Sequence, residues 1–131
     1  MSGINKNLLY EKFVDQILNF TNELIKLFPN DNQDFKIFKT GANLLRRTSG
    51  DKMVHKIFKE SIEMYRHYIE NKDEKFFLEH TYDEVELDDS FDLNQLVKKL
   101  KGLWKELPET EKDKIWGYFT LLLKFSDRLS K

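Results

Sequence analysis

Apolar residues recur every three or four positions along most of this chain. Leu9, Phe13, Ile17, Phe20, Leu24 and Leu27 form one series, and Val14, Leu18, Ile25 and Phe28 widen it into a broad core-facing stripe. The pattern predicts a first helix from about Asn7 to Phe28, broken by Pro29 and followed by the cap-type residues Asn30, Asp31 and Asn32. Phe35, Phe38, Ala42 and Leu45 mark a shorter second helix ending near Arg47, with Thr48, Ser49 and Gly50 as the next turn. Val54, Ile57, Phe58, Ile62, Tyr65 and Ile69 predict a third helix reaching about Glu70. Asp73 is placed to cap one further short turn through Phe76, Phe77 and Leu78.

The same period returns near the end of the chain. Phe91, Leu93, Leu96, Val97, Leu100, Leu103, Trp104 and Leu107 stop at Pro108, and Ile115, Trp116, Phe119, Leu122, Leu123 and Leu129 resume it, which predicts a helical hairpin. Thr110 with Asp113 resembles a capping box at the start of the last helix, with Asp in place of the longer Glu or Gln. Between the halves, residues 79–92 lose the helical period. Val85 and Leu87 alternate there with acids, but a lone strand has no partner, so the stretch reads as an ordered acidic loop. Isolated Gly41, Gly102 and Gly117 within helical patterns predict points of close helix approach. The expectation is an all-α, compact bundle of about five main helices, one short extra turn and an acidic loop, spanning 1–131 as a single domain.

Composition supports folding and narrows chemistry. Hydrophobic residues make up 40% of the 131, with 11 Phe, 5 Tyr and 2 Trp, too aromatic for a disordered chain. No apolar run approaches the roughly 20 residues that span a bilayer, and the opening MSGINKNLLYEKF has no long apolar core or small-residue cleavage site, which predicts a cytosol-like compartment and no membrane partner. The absence of Cys removes disulfides, thiolate nucleophiles and cysteine zinc sites. His55, His67 and His80 include no i, i+4 pair, the acidic stretch lacks the Gly that a calcium loop turns on, and no clustered glycines form a phosphate loop. With no G-x-S-x-G elbow either, no catalytic residue, cofactor or metal site is expected and the chain reads as non-enzymatic.

Charge is uneven beneath a formal net of -1. Lys36, Lys39, Arg46, Arg47, Lys52, Lys56 and Lys59 could line adjacent helices as a nucleic-acid patch, and Lys98, Lys99, Lys101 and Lys105 crowd a later helix, while the segment between is acidic. Aromatics gather around the acidic stretch: Tyr65, Tyr68, Phe76, Phe77, Tyr82 and Phe91 are the candidate protein interface, since aromatic anchors are enriched in such surfaces.

Phe28-Pro29, Lys72-Asp73-Glu74 with Phe76-Phe77-Leu78, and Trp104 with Ile115-Trp116 and Tyr118 resemble the pattern of a group of small helical proteins, without an assigned activity, encoded by nucleocytoplasmic large DNA viruses. No catalytic residue transfers from that resemblance. It implies expression in the cytoplasm of an infected host cell, with presence in virus factories or virions. The leading expectation is therefore a viral interaction or structural protein that contacts another protein, chiefly itself, as a homo-oligomer. The alternative is an accessory nucleic-acid-binding protein using the basic helices.

Overall fold

The structure, a computed structural model, describes residues 6–80 and 93–130. Helix α1 (Lys6–Leu27) is followed by α2 (Gln33–Ser49), α3 (Asp51–Ile62), a 3-10 turn (Glu63–Tyr65), α4 (Arg66–Glu70), α5 (Glu74–Glu79), α6 (Leu93–Leu103), a second 3-10 turn (Trp104–Glu106) and α7 (Glu109–Leu129). The chain is all-α, as its periodicity predicts, and the described residues contain no strand. The acidic stretch, apart from Glu79 and His80, lies outside the described residues, with its Val85 and Leu87.

α1 is the central element and lies against α2, α3 and α7. Its stripe is buried as predicted: Phe13, Val14 and Leu24 have no exposed surface, and Ile17 and Phe20 almost none. Phe13 meets Phe58 of α3 edge to face at 5.2 Å between centroids, an arrangement that adds about 1 kcal/mol beyond the area buried. Thr21, fully buried in that stripe, is satisfied because its hydroxyl donates to the Ile17 carbonyl at 2.8 Å.

Gly50 alone separates α2 from α3. Its φ of +90° lies where an L side chain is strained, and its N–H donates to the Arg46 carbonyl at 3.0 Å, closing α2 while α3 starts at the next residue. At the α1–α2 turn, Asn32 turns its amide back to the Ile25 carbonyl at 3.2 Å and makes no side-chain cap for α2. Asp73 behaves as expected: its Oδ1 accepts from the Phe76 N–H at 3.0 Å.

Three expectations about local structure are corrected. The third helix is not continuous to Glu70, because it tightens into the 3-10 turn at Glu63–Tyr65 with no Gly or Pro to announce it. The deviation accompanies long-range attachments: the Tyr65 hydroxyl donates to Asn94 Oδ1 at 3.4 Å, and Arg66 bonds Asp127 of α7 at 3.2 Å. The last helix begins at Glu109 with Pro108 in the cap position and no side-chain cap, so Thr110 lies inside the first turn rather than capping it. Gly102 and Gly117 are exposed and a Cβ on either would meet nothing within 4 Å, so neither marks a close helix approach.

Candidate functional site

The aromatic candidates are mostly core. Tyr65 and Phe77 are 8% and 6% exposed, and Phe77 packs edge-on to Trp104 at 4.8 Å and to Trp116 at 6.0 Å. Tyr68 and Phe76 are half-buried and lie nearly parallel on each other at 3.5 Å, with His80 stacked beyond Phe76 at 4.9 Å. Trp104 completes the corner: its Nε1 donates to Glu74 at 3.1 Å, and the Lys112 ammonium stands 5.7 Å from its ring. Tyr65 and Phe77 are thus withdrawn from the candidate interface because the chain's own helices cover them. Tyr82 and Phe91 lie outside the described residues.

The basic candidates do not form one patch. Arg46 is tied to Asp15 of α1 at 3.0 Å and to Asp51 of α3 at 2.6 Å, and its Nη2 also donates to the Glu11 carbonyl at 3.1 Å. Burial opposes its charge, but the hydrogen bonds to Asp51 and Asp15 outweigh that and hold its pKa above the ordinary arginine value. Its role is to lock three helices, which removes it from the phosphate-binding set. Lys36 borders a shallow depression on α2 with Ile37, Thr40 and Leu44; Lys39 is half-buried and Arg47 exposed. On α6, Lys99 pairs with Asp31 at 2.6 Å and Lys101 donates to the His80 carbonyl at 2.6 Å, so those cations brace the fold.

Lys52, Lys56 and Lys59 differ. Their i, i+4, i+7 spacing puts them on one stripe of α3, and they border an open cleft of about 490 Å³ whose other lining residues are Tyr10, Ser49, Met53, His55, Leu129 and Ser130. No carboxylate lines this cleft, and none of the three lysines has an ion-pair partner among the described residues. Four helices build it: α1 supplies Tyr10, the end of α2 Ser49, α3 the lysines, and the end of α7 Leu129 and Ser130.

The floor is anchored by His55. This residue is 6% exposed, a core position. It shares a 3.0 Å hydrogen bond through Nε2 with Ser126 Oγ of α7, and the rings of Tyr10 and Phe13 lie at 5.5 and 5.0 Å. Burial pushes its pKa below the ordinary histidine value, and the charges of Lys59 and Lys6 add to this. A neutral His55 beside a serine invites a nucleophilic reading, but Ser126 has no exposed surface and no carboxylate bonds His55 among the described residues. A substrate carbonyl has no route to that hydroxyl, so the pair fastens α3 to α7.

A second recess of about 520 Å³ runs between α1 and α7. Phe20, Leu24, Leu27, Ile115, Tyr118 and Leu121 give it an apolar surface, Gln16, Glu23, Glu111 and Lys114 rim it, and Gly117 leaves it open by lacking a side chain. Leu121 is 39% exposed there. Among the described residues no group of three or more His, Asp or Glu could hold a metal ion, and no helix is long and apolar enough to cross a membrane.

Tyr10, His55 and Ser130 were not singled out as site residues by pattern. A signal exists for His55, which falls three residues before Phe58 and seven before Ile62 on the buried face of α3. Ser130 carries none, because its place beside α3 follows only from how α7 docks. No family model, curated protein or solved structure matches this chain.

Proposed function

We propose that this protein acts by binding rather than by catalysis, and that it takes nucleic-acid phosphates on the α3 face through Lys52, Lys56 and Lys59. The observation that supports the reading is the contrast in pairing: among the described residues these lysines form no ion pair and border a cleft lined by no carboxylate, whereas Arg46, Arg66 and Lys99 are held by Asp or Glu. Unneutralised cations on one helical stripe release counterions when phosphates replace them, which is the main source of sequence-independent affinity. The resemblance to large-DNA-virus proteins would place this binding in the cytoplasm of an infected cell, at the virus factory or in the virion.

The test is fluorescence anisotropy of a labelled oligonucleotide across a salt series. Micromolar binding at about 50 mM salt is expected, with log affinity falling against log salt at a slope of about -2 to -3 for three phosphate contacts. Replacing Lys52, Lys56 and Lys59 together with Gln should flatten the slope and weaken binding at least tenfold. No binding at low salt, or binding indifferent to the triple substitution, defeats the proposal.

A second reading, self-association, is favoured by the recess between α1 and α7. Its rim carries Glu111 and Lys114, paired with each other at 3.5 Å, beside an apolar surface that includes the 39% exposed Leu121, so two copies related by a twofold axis could bury that surface against each other. Light scattering at micromolar concentration should then report a dimer, and Leu121→Asp a monomer. A wild-type monomer refutes it.

A further inference from the structure

Resting on the phosphate-binding reading, we infer that the α3 cleft selects single-stranded over duplex nucleic acid by receiving one unstacked base against Tyr10 while Lys52, Lys56 and Lys59 hold the strand's phosphates. The cleft combines two chemistries that a plain basic surface lacks. Its rim is cationic, with the three lysines spread over about 10 Å of helix axis at 1.5 Å per residue. Its interior is apolar and aromatic: Tyr10 lines it, half-buried, with its ring centroid 5.5 Å from that of His55, and Met53, 38% exposed, lines it as well.

At about 490 Å³ the recess lies within the range of about 300 to 1,000 Å³ of small-ligand pockets, and it is open to solvent. A duplex keeps its bases stacked inside a cylinder and presents phosphates outward, so it reaches the lysine rim and leaves the interior wet. A single strand swings a base out at little cost and offers a flat π-face that any aromatic ring accepts, whatever the base identity. The polar groups left over in the cleft fit that guest. The Tyr10 hydroxyl makes no hydrogen bond among the described residues, and it is free to meet a sugar or base edge. The Ser130 hydroxyl, by contrast, is already donated to the Ser126 carbonyl at 2.9 Å and contributes only its oxygen as an acceptor.

The neutral state of His55 belongs to the same picture. An imidazolium beside the aromatic floor would be a fourth cation buried under the base, and burial disfavours it. The floor is therefore uncharged and the charge sits at the rim, the arrangement of a stacking platform inside an electrostatic funnel.

The experiment compares a labelled single strand of about 20 nucleotides with its own duplex at equal salt, for the wild type, Tyr10→Ala, Tyr10→Trp and the triple lysine-to-Gln variant. The wild type should bind the single strand at least tenfold more tightly than the duplex. Tyr10→Ala should lower single-strand affinity enough to erase that gap, Tyr10→Trp should keep it, and the lysine variant should weaken both. Circular dichroism and a melting curve on each variant separate a lost platform from a lost fold, and the Trp variant carries the test if Ala unfolds the chain. Equal binding of both forms that still depends on the lysines overturns this inference and leaves the phosphate-binding reading standing. Absence of lysine dependence removes both.

Discussion

The corner built by α4, α5 and the Trp104 turn and the cleft beside α3 are both rich in rings and cations, yet one is closed and the other open. In the corner every notable group is answered from within: Tyr68 lies on Phe76, Phe77 on Trp104 and Trp116, the Trp104 N–H on Glu74, and Arg66 on Glu63, Glu70 and Asp127. In the cleft the lysines form no ion pair and the Tyr10 hydroxyl no hydrogen bond among the described residues, while His55 and the Ser130 hydroxyl are satisfied by Ser126. Residue type does not separate a stabilising cluster from a binding one. What separates them is whether the fold already uses the interaction capacity of the groups, since a satisfied donor or charge has little left for a partner.

The comparison breaks most visibly at Trp104. Its ring is 1% exposed, so Trp104→Ala should destabilise the fold by about 3 to 5 kcal/mol in urea unfolding through cavity formation and loss of the Glu74 bond. A loss under about 1 kcal/mol would mean that the corner is not a sealed cluster. The triple replacement of Lys52, Lys56 and Lys59 by Gln should do the reverse. Stability should stay within about 0.5 kcal/mol of wild type while oligonucleotide affinity falls tenfold or more, equivalent to about 1.4 kcal/mol.

The pH response sharpens the contrast. The fold keeps His55 neutral and the unfolded chain does not, so below the ordinary histidine value of 6.5 unfolding takes up a proton. Stability from this group is complete above that pH and declines as pH falls below it toward the lowered folded-state value, by at most about 1.4 kcal/mol per pH unit because one proton is involved. Melting curves over that window should show the decline in the wild type and a flatter profile in His55→Gln. The corner titrates lower. Hydrogen bonds from Arg66 hold the Glu63 carboxyl below its ordinary value of 4.5, against the opposing effect of burial, so that contribution is present above this value and is lost as pH falls through the lowered one. The smallest effect is expected at Asp127. Asp127→Asn should cost about 1 kcal/mol or less, because the carboxylate is half-exposed and Arg66 keeps Glu63 and Glu70. A larger loss in chemical denaturation would show that the Arg66 network, rather than ring packing, holds α4 on α7.

Much of the fold was legible because its signals are local. Apolar spacing of three and four, Pro29 and Pro108 as breakers, Gly50 at the junction and the Asp73 cap all act within a turn or two of the backbone, and each sits where the pattern put it. The misplaced features are those decided at a distance. The tightening at Glu63–Tyr65 goes with Asn94 and Asp127, 29 and 61 residues away, and no local residue foretells it. The candidate site was legible as residue types and not as a place: Lys52, Lys56 and Lys59 stood in the basic set, but nothing in the order of residues separated them from Arg46.

By itself, then, the sequence determined an all-α chain, the approximate span of most of its helices and the faces that turn inward, because helix periodicity and capping are short-range properties of the backbone and its side chains. Tertiary structure alone decided that Tyr65 and Phe77 are covered, that Arg46 and Lys99 are ion-paired while the α3 lysines form no ion pair among the described residues, and that Tyr10, His55 and the end of α7 meet around one cleft. The physical reason is that an aromatic face or a charge is consumed or left available by whatever element docks against it, and docking depends on how whole helices pack, which no single stretch of chain contains.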